Sequence, residues 1–111
     1  MVNFEKKNNI EIVTFTVNKI NALIADDIRD QIIRVFDNAN AKVIIDLKGV
    51  EYIDSSGFGC FLSSYKAAKN NYGILKFAGA EPQVRALFET LHLHTIFQFF
   101  SDTESCISSF R

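Results

Sequence analysis

Apolar and polar positions change rhythm several times along this chain, and each change marks an element. In IEIVTFTV, residues 10–17, Ile10, Ile12 or Val13, Phe15 and Val17 alternate roughly with polar positions, as in a strand with one buried face. Residues 3–6 read as a preceding strand, and Asn8-Asn9 suits the turn between the two. From Leu23 the period lengthens. Ile24, Ile28, Ile32, Val35 and Phe36 recur at helical spacing, with Asp26 and Asp27 expected in the first turn, where the helix dipole favours acids. KVIIDL, residues 42–47, is a near-continuous apolar run, expected of a strand covered on both faces. A second helix is expected from Ser56 to about Asn70, with Phe58, Phe61, Leu62 and Tyr65 on one face. Another buried strand, GILKFA, covers residues 73–78. Pro82 opens a third helix carrying Val84, Leu87, Phe88 and Leu91. IFQFF, residues 96–100, reads as a short strand, and Ser101 with Glu104 as an S-x-x-E box capping a last helix that reaches Phe110.

Strands first, then strands alternating with helices, predict a single α/β domain over residues 1–111. It has a mixed sheet of four to five strands and about four helices. The right-handed crossover rule leaves few topologies for it. A hydrophobic content of 48% with 23% charged residues is that of a globular domain. A net charge of −1 without a basic run argues against sequence-independent nucleic-acid binding. The N-terminus lacks the pattern of a signal peptide, and no apolar stretch reaches the roughly 18 residues of a membrane span. Cys60 and Cys106 lie far apart and outside any C-x-x-C pattern. They read as free thiols of a cytoplasmic protein, and no cofactor or metal site is expected.

The chemistry concentrates in IDSSGFG, residues 53–59. Asp54, Ser55 and Ser56 stand where the chain enters the second helix, and on structural grounds alone they read as N-cap residues worth about 1 kcal/mol. Gly57 and Gly59 each cost about 1 kcal/mol relative to alanine inside a helix. One glycine has a packing explanation, but two beside two serines bare a whole helical turn. Helical spacing sets Ser56, Cys60, Ser63 and Ala67 opposite Phe58, Phe61 and Leu62, a face of small uncharged residues rather than lysine and glutamate. That face is either covered by the last helix or free to dock a partner protein.

VIIDLKGVEYIDSSGFGCFL, residues 43–62, resembles the signature of the STAS-domain family as found in bacterial anti-sigma factor antagonists. In that family an apolar strand ending in Asp-Leu leads through a short loop to Asp-Ser-Ser-Gly-x-Gly. The resemblance implies a transcription regulator working by partner switching. Ser55 would accept phosphate from a serine kinase that is also the anti-sigma factor, and a metal-dependent serine phosphatase would remove it. Unphosphorylated, the protein would bind the anti-sigma factor and free the sigma factor. Expected partner contacts are Asn21, Asp54, Ser56, Gly57, Gly59, Cys60 and Ser63. Asn18 and Asn21 stand where the family often has glycine and aspartate, and Asn18 is expected to tolerate a left-handed backbone. His92 stands where a glycine commonly follows the third helix.

Other readings compete. A serine hydrolase would need a glycine two residues before the nucleophile, and Ile53 is there instead. His92 and His94 read as ordinary residues near a helix end. A receiver domain phosphorylated on Asp46 would want an acidic pair after the first strand, and none follows residue 17. Within the STAS family, a scaffold or transport-complex subunit that never carries phosphate is the alternative. Among 11 phenylalanines, Phe97 and Phe99 read as core. Phe100 reads either as core under the last helix or as part of a self-association patch.

Overall fold

The computed structural model describes residues 1–110. Strand β1 (Val2–Lys7) turns back into β2 (Ile10–Phe15), with Lys7 opposite Ile10. The connection is the pair Asn8-Asn9, with φ of 54° and 64°, the two left-handed residues that a twisted two-residue hairpin requires. A two-residue strand β3 (Lys19–Ile20) then precedes helix α1 (Ala22–Val35). Strands β4 (Lys42–Asp46) and β5 (Tyr52–Ile53) lead to helix α2 (Ser55–Asn70). Strand β6 (Ile74–Ala78), helix α3 (Pro82–Thr90), a 3-10 turn (Leu93–Thr95), strand β7 (Phe99–Phe100) and helix α4 (Thr103–Ser108) complete the chain.

The main sheet is mixed, in the order β1-β2-β4-β6-β7, with β1 antiparallel and every later pair parallel. Because the order advances in one direction, right-handed crossovers put α1, α2 and α3 on the same face. That face holds the main core: Val13, Val43, Ile45, Leu75 and Phe77 from the sheet against Ile28, Ile32, Phe61, Val84 and Phe88 from the helices. Its centre is aromatic. Phe77 meets Phe61 at 5.2 Å and Phe88 at 5.5 Å, both edge to face, and Phe58 meets Phe88 at 4.9 Å.

Helix α4 covers the other face, over Ile10, Ile12, Ile44, Ala78 and Phe100. Ile12 and Val13 are therefore both buried, one on each side of β2, which explains why alternation there was only rough. Phe100 belongs to this second cluster, so it is core under the last helix. Lys76 points to the same face. Its Nζ donates to Ser109 Oγ at 2.8 Å and lies 4.3 Å from the Phe110 ring centroid, so a cation meets the C-terminal end of α4.

Four local expectations are corrected. Helix α1 starts at Ala22, so Asp26 and Asp27 fall beyond its first turn, and Asp26 pairs with Arg29 at 3.1 Å. Helix α4 is capped by Asp102, whose Oδ1 accepts from the Ser105 N–H at 2.8 Å. Glu104 turns away to Lys7 at 3.1 Å, so Ser101 and Glu104 form no capping box. Only Phe99 and Phe100 of IFQFF pair with β6, because the N–H groups of Ile96 and Phe97 both bond back to Leu93 O. Asn18 is not among the left-handed residues; its carbonyl accepts from the Glu51 and Tyr52 N–H groups at 2.7 and 3.2 Å.

His92, by contrast, is left-handed after α3, with φ 59° and ψ 22°. A side chain there costs about 1–2 kcal/mol, part of which glycine gives back through its extra freedom when unfolded. His92→Gly should therefore raise the urea midpoint, by roughly 1 kcal/mol of stability. An unchanged or lower midpoint would show that the imidazole makes up the backbone strain.

Candidate functional site

The site is built on the small ribbon of β3 and β5. Its parallel register sets Lys19 beside Tyr52 and Ile20 beside Ile53. The next residue on each strand, Asn21 and Asp54, is the N-cap of α1 and of α2. The Asp54 N–H also donates to Ile20 O at 3.1 Å, so the ribbon continues up to the caps. Two helices thus start side by side, and the partial positive charges of their ends share one corner of the molecule. Asn21 Oδ1 accepts from the Leu23 N–H at 3.0 Å. Asp54 Oδ1 accepts from the Ser56 and Gly57 N–H groups at 2.9 and 3.1 Å.

The two glycines have different reasons. A Cβ on Gly57 would lie 2.5 Å from Ile53 Cγ2, 3.0 Å from Ile20 Cγ2 and 3.1 Å from Ile20 O. The first turn of α2 rests directly on the ribbon, and only glycine fits. A Cβ on Gly59 would meet nothing within 4 Å. This glycine is exposed and bares the helix backbone to solvent.

The outward stripe of α2 is Ser55, Gly59, Leu62 and Lys66, all exposed, with Ser56 and Ser63 half-buried on its flank. This is a correction by one residue of helix rotation. Cys60, expected to face outward, is 3% exposed, and Leu62, expected inside, is 39% exposed. The cause is α1, which packs along α2 with Arg29, Asp26 and Asp30 close to Cys60, on a side where Ser64 and Ala68 are also buried. Small residues there let two helices approach closely, and Ser64 Oγ spends its proton on Cys60 O at 2.8 Å. So α1, and not the last helix, covers the small-residue face. Of the expected contact residues, Asn21, Asp54, Ser56, Gly59 and Ser63 lie at or beside the surface, as does Ser55, the expected phosphate acceptor. Gly57 and Cys60 are buried and offer a partner no side chain.

Sequence reasoning did not anticipate that Leu23, the second residue of α1, is 91% exposed. Its signal was available: it falls outside the helical stripe of Ile24, Ile28 and Ile32. The remaining candidates lie elsewhere. Asp46 is half-buried at the end of β4 and accepts from the Lys48 N–H at 3.0 Å, closing the loop after its strand. His92 and His94 are exposed around the 3-10 turn, with rings 6.3 Å apart.

The match to the STAS domain model spans residues 1–106, and the chain belongs to that family. It is 27% identical over 99 residues to the anti-sigma-B factor antagonist of Bacillus subtilis, spanning 89% of this chain and 90% of that protein. The fold is shared with the anti-sigma factor antagonist SpoIIAA in its unphosphorylated form, at a TM-score of 0.85 and 19% identity over 100% of this chain and 96% of that one. The phosphorylated form of SpoIIAA, from Bacillus, superposes at 0.76 and 18% identity over the full length of both chains. A sulfate transporter family protein from Wolinella succinogenes has the fold too, at 0.73 and 12% identity over 95% and 87% of the two chains. None of the helices among the described residues is long and apolar enough to cross a membrane.

Two measurements check this geometry. Gly57→Ala should cost about 1–3 kcal/mol from overpacking against the ribbon, whereas Gly59→Ala should add up to about 1 kcal/mol. Equal effects in urea denaturation would contradict the close approach at Gly57. Burial pushes the Cys60 thiol up to about 12 and the Cys106 thiol up to about 11. In the unfolded chain both would ionise near about 8.5, so the unfolded state binds fewer protons above that pH. Stability from the two thiols is then whole below about pH 8 and falls as pH rises toward 11 and 12. Cys60→Ala should flatten that alkaline fall, followed as the urea midpoint against pH.

Proposed function

We propose that this protein is an anti-sigma factor antagonist that switches partners through phosphorylation of Ser55. The observation that carries the reading is local. Ser55 is the exposed first residue of α2, and the N–H groups beside it are already satisfied by Asp54, so its hydroxyl can be modified without dismantling the cap. That a protein of this fold exists in phosphorylated and unphosphorylated forms supports it. The partner is an anti-sigma factor that is also a serine kinase, and a serine phosphatase resets the switch in the cytoplasm.

The energetics separate interface from fold. A phosphate on Ser55 adds about −1.5 to −2 charges at neutral pH. At the N-terminus of α2 that charge is mildly stabilising, on the order of 0.3–1 kcal/mol. The domain stays folded. Buried against a partner without a matching cation, the same charge costs several kcal/mol, and about 1.4 kcal/mol is already tenfold in affinity. The Asp54 carboxylate next in sequence adds repulsion. Asn21, Asp54, Ser56, Gly59 and Ser63 form the contact surface around the switch.

A second reading keeps the surface and drops the phosphate: a scaffold or transport-complex subunit, favoured by the fold shared with the sulfate transporter family protein. The purified chain should be incubated with ATP and the anti-sigma kinases of its own genome, and phosphate mapped by mass spectrometry. Phosphate on Ser55 that resists acid and hydroxylamine, is absent in Ser55→Ala and weakens kinase binding about a hundredfold or more is the expected result. Hydroxylamine-labile phosphate would move the site to Asp46. No phosphate, with a stable complex to another protein, would leave the scaffold reading.

A further inference from the structure

We propose that His92 and His94 form a two-point clamp for a divalent transition-metal ion of the Ni²⁺, Cu²⁺ and Zn²⁺ group, on the turn after α3. The clamp is independent of the switch at Ser55. Both residues are exposed, and their ring centroids lie 6.3 Å apart at an interplanar angle of 35°. A zinc ion sits about 2.0–2.1 Å from an imidazole nitrogen, so two rings sharing one ion tetrahedrally stand with centroids about 5.2 Å apart. Closing the remaining gap takes about 1 Å of ring movement, within reach because the terminal torsion of histidine is broad. Both rings face solvent and are free to make that turn.

The backbone that carries the rings is already fixed. The His92 N–H donates to Glu89 O at 3.0 Å, and Thr95 Oγ1 donates to the His92 carbonyl at 2.7 Å. Leu93 O accepts from the N–H groups of Ile96 and Phe97 at 3.1 and 3.0 Å, and the Leu93 side chain is set into the main core. Two ligands on a turn held in this way lose little freedom when an ion joins them. Among the described residues neither ring has a hydrogen-bond partner, so both keep their nitrogens for a ligand.

The backbone of His92 is a second observation. It is left-handed, where glycine is at ease and a side chain carries strain, and the exposed imidazole gains no hydrogen bond in return. Backbone strain of this kind concentrates at ligand sites. Beside a second imidazole, the ligand that suits both rings is a metal ion. Imidazole favours Zn²⁺, Cu²⁺ and Ni²⁺, whereas Mg²⁺ and Ca²⁺ want oxygen. The described residues bring no group of three or more His, Cys, Asp and Glu side chains together, so the chain supplies two ligands and water completes the shell. Such an ion exchanges freely, unlike a structural zinc closed by four protein ligands.

The test is calorimetric titration of the purified chain with Zn²⁺ and Ni²⁺, beside His94→Ala and His92→Gly, with Mg²⁺ as the control ion. His94 is exposed and His92→Gly relieves the left-handed backbone, so both variants stay folded, and urea midpoints without metal check that lost binding is not lost folding. One ion per chain is expected, with no binding of Mg²⁺. Losing even a hydrogen-bond partner of a metal ligand costs about 10–100-fold in affinity, so each variant should bind at least about tenfold more weakly. The chain has only these two histidines, and sub-stoichiometric Ni²⁺ should broaden the NMR signals of both rings together. Binding that either variant keeps within about threefold of wild type overturns the clamp, as does broadening of one ring alone. A wild-type chain that takes up neither ion at about millimolar concentration overturns it as well.

Discussion

The first turn of α2 lies against Ile20 and Ile53 with no room for a side chain at Gly57, and this contact organises the functional end of the molecule. It seats α2 on the same two-stranded ribbon from which α1 departs. The ribbon pairs the last residues before each cap, so the two helix starts are held level with one another. Phe58, one residue further, locks the same turn to Phe88 of α3. A helix whose opening residues are poor helix formers is thereby fixed from below and from the side, and its exposed residues need contribute little to holding it.

The rest of the architecture follows from handedness. A sheet order that advances in one direction, with right-handed crossovers, sends three helices to one face and leaves the other to whatever the C-terminal segment supplies. Helix α4 is short, and it meets that task with Cys106, Ile107 and Phe110 over Ile44 and Phe100, and with Lys76 at its C-terminal end. Neither cysteine is free to react as a thiolate, because burial dominates both. The thiols belong to packing, on opposite sides of the sheet.

Under the proposed function, phosphate on Ser55 would act on association and spare the fold. The charge that phosphate would bring meets a helix end that tolerates it, so the folded state has no strong preference between the two forms. Discrimination then resides in the partner, where an uncompensated buried charge is expensive. A proposed acceptor on a rigid helix start, rather than on a loop, would keep the same backbone in either form.

Periodicity alone determined the elements with strong apolar repeats: the hairpin around Asn8-Asn9, the buried strands at 42–47 and 73–78, and the helices through Ile28, Phe61 and Val84. The Asp-Ser-Ser-Gly-x-Gly segment likewise marked the candidate site, because hydroxyls, an acid and glycines at a helix start carry a chemical meaning of their own. What tertiary structure decided was which way α2 faces. Its Ser, Gly, Cys and Ala positions are too small to carry an amphipathic signal, so only the arrival of α1 assigned Cys60 to the interior and Leu62 to solvent. The same holds for the ribbon, whose two-residue strands are shorter than any pattern can reveal. Asn21 and Asp54 lie level because Ile20 pairs with Ile53 across 33 residues of chain, and that pairing exists only once the strands between them have folded.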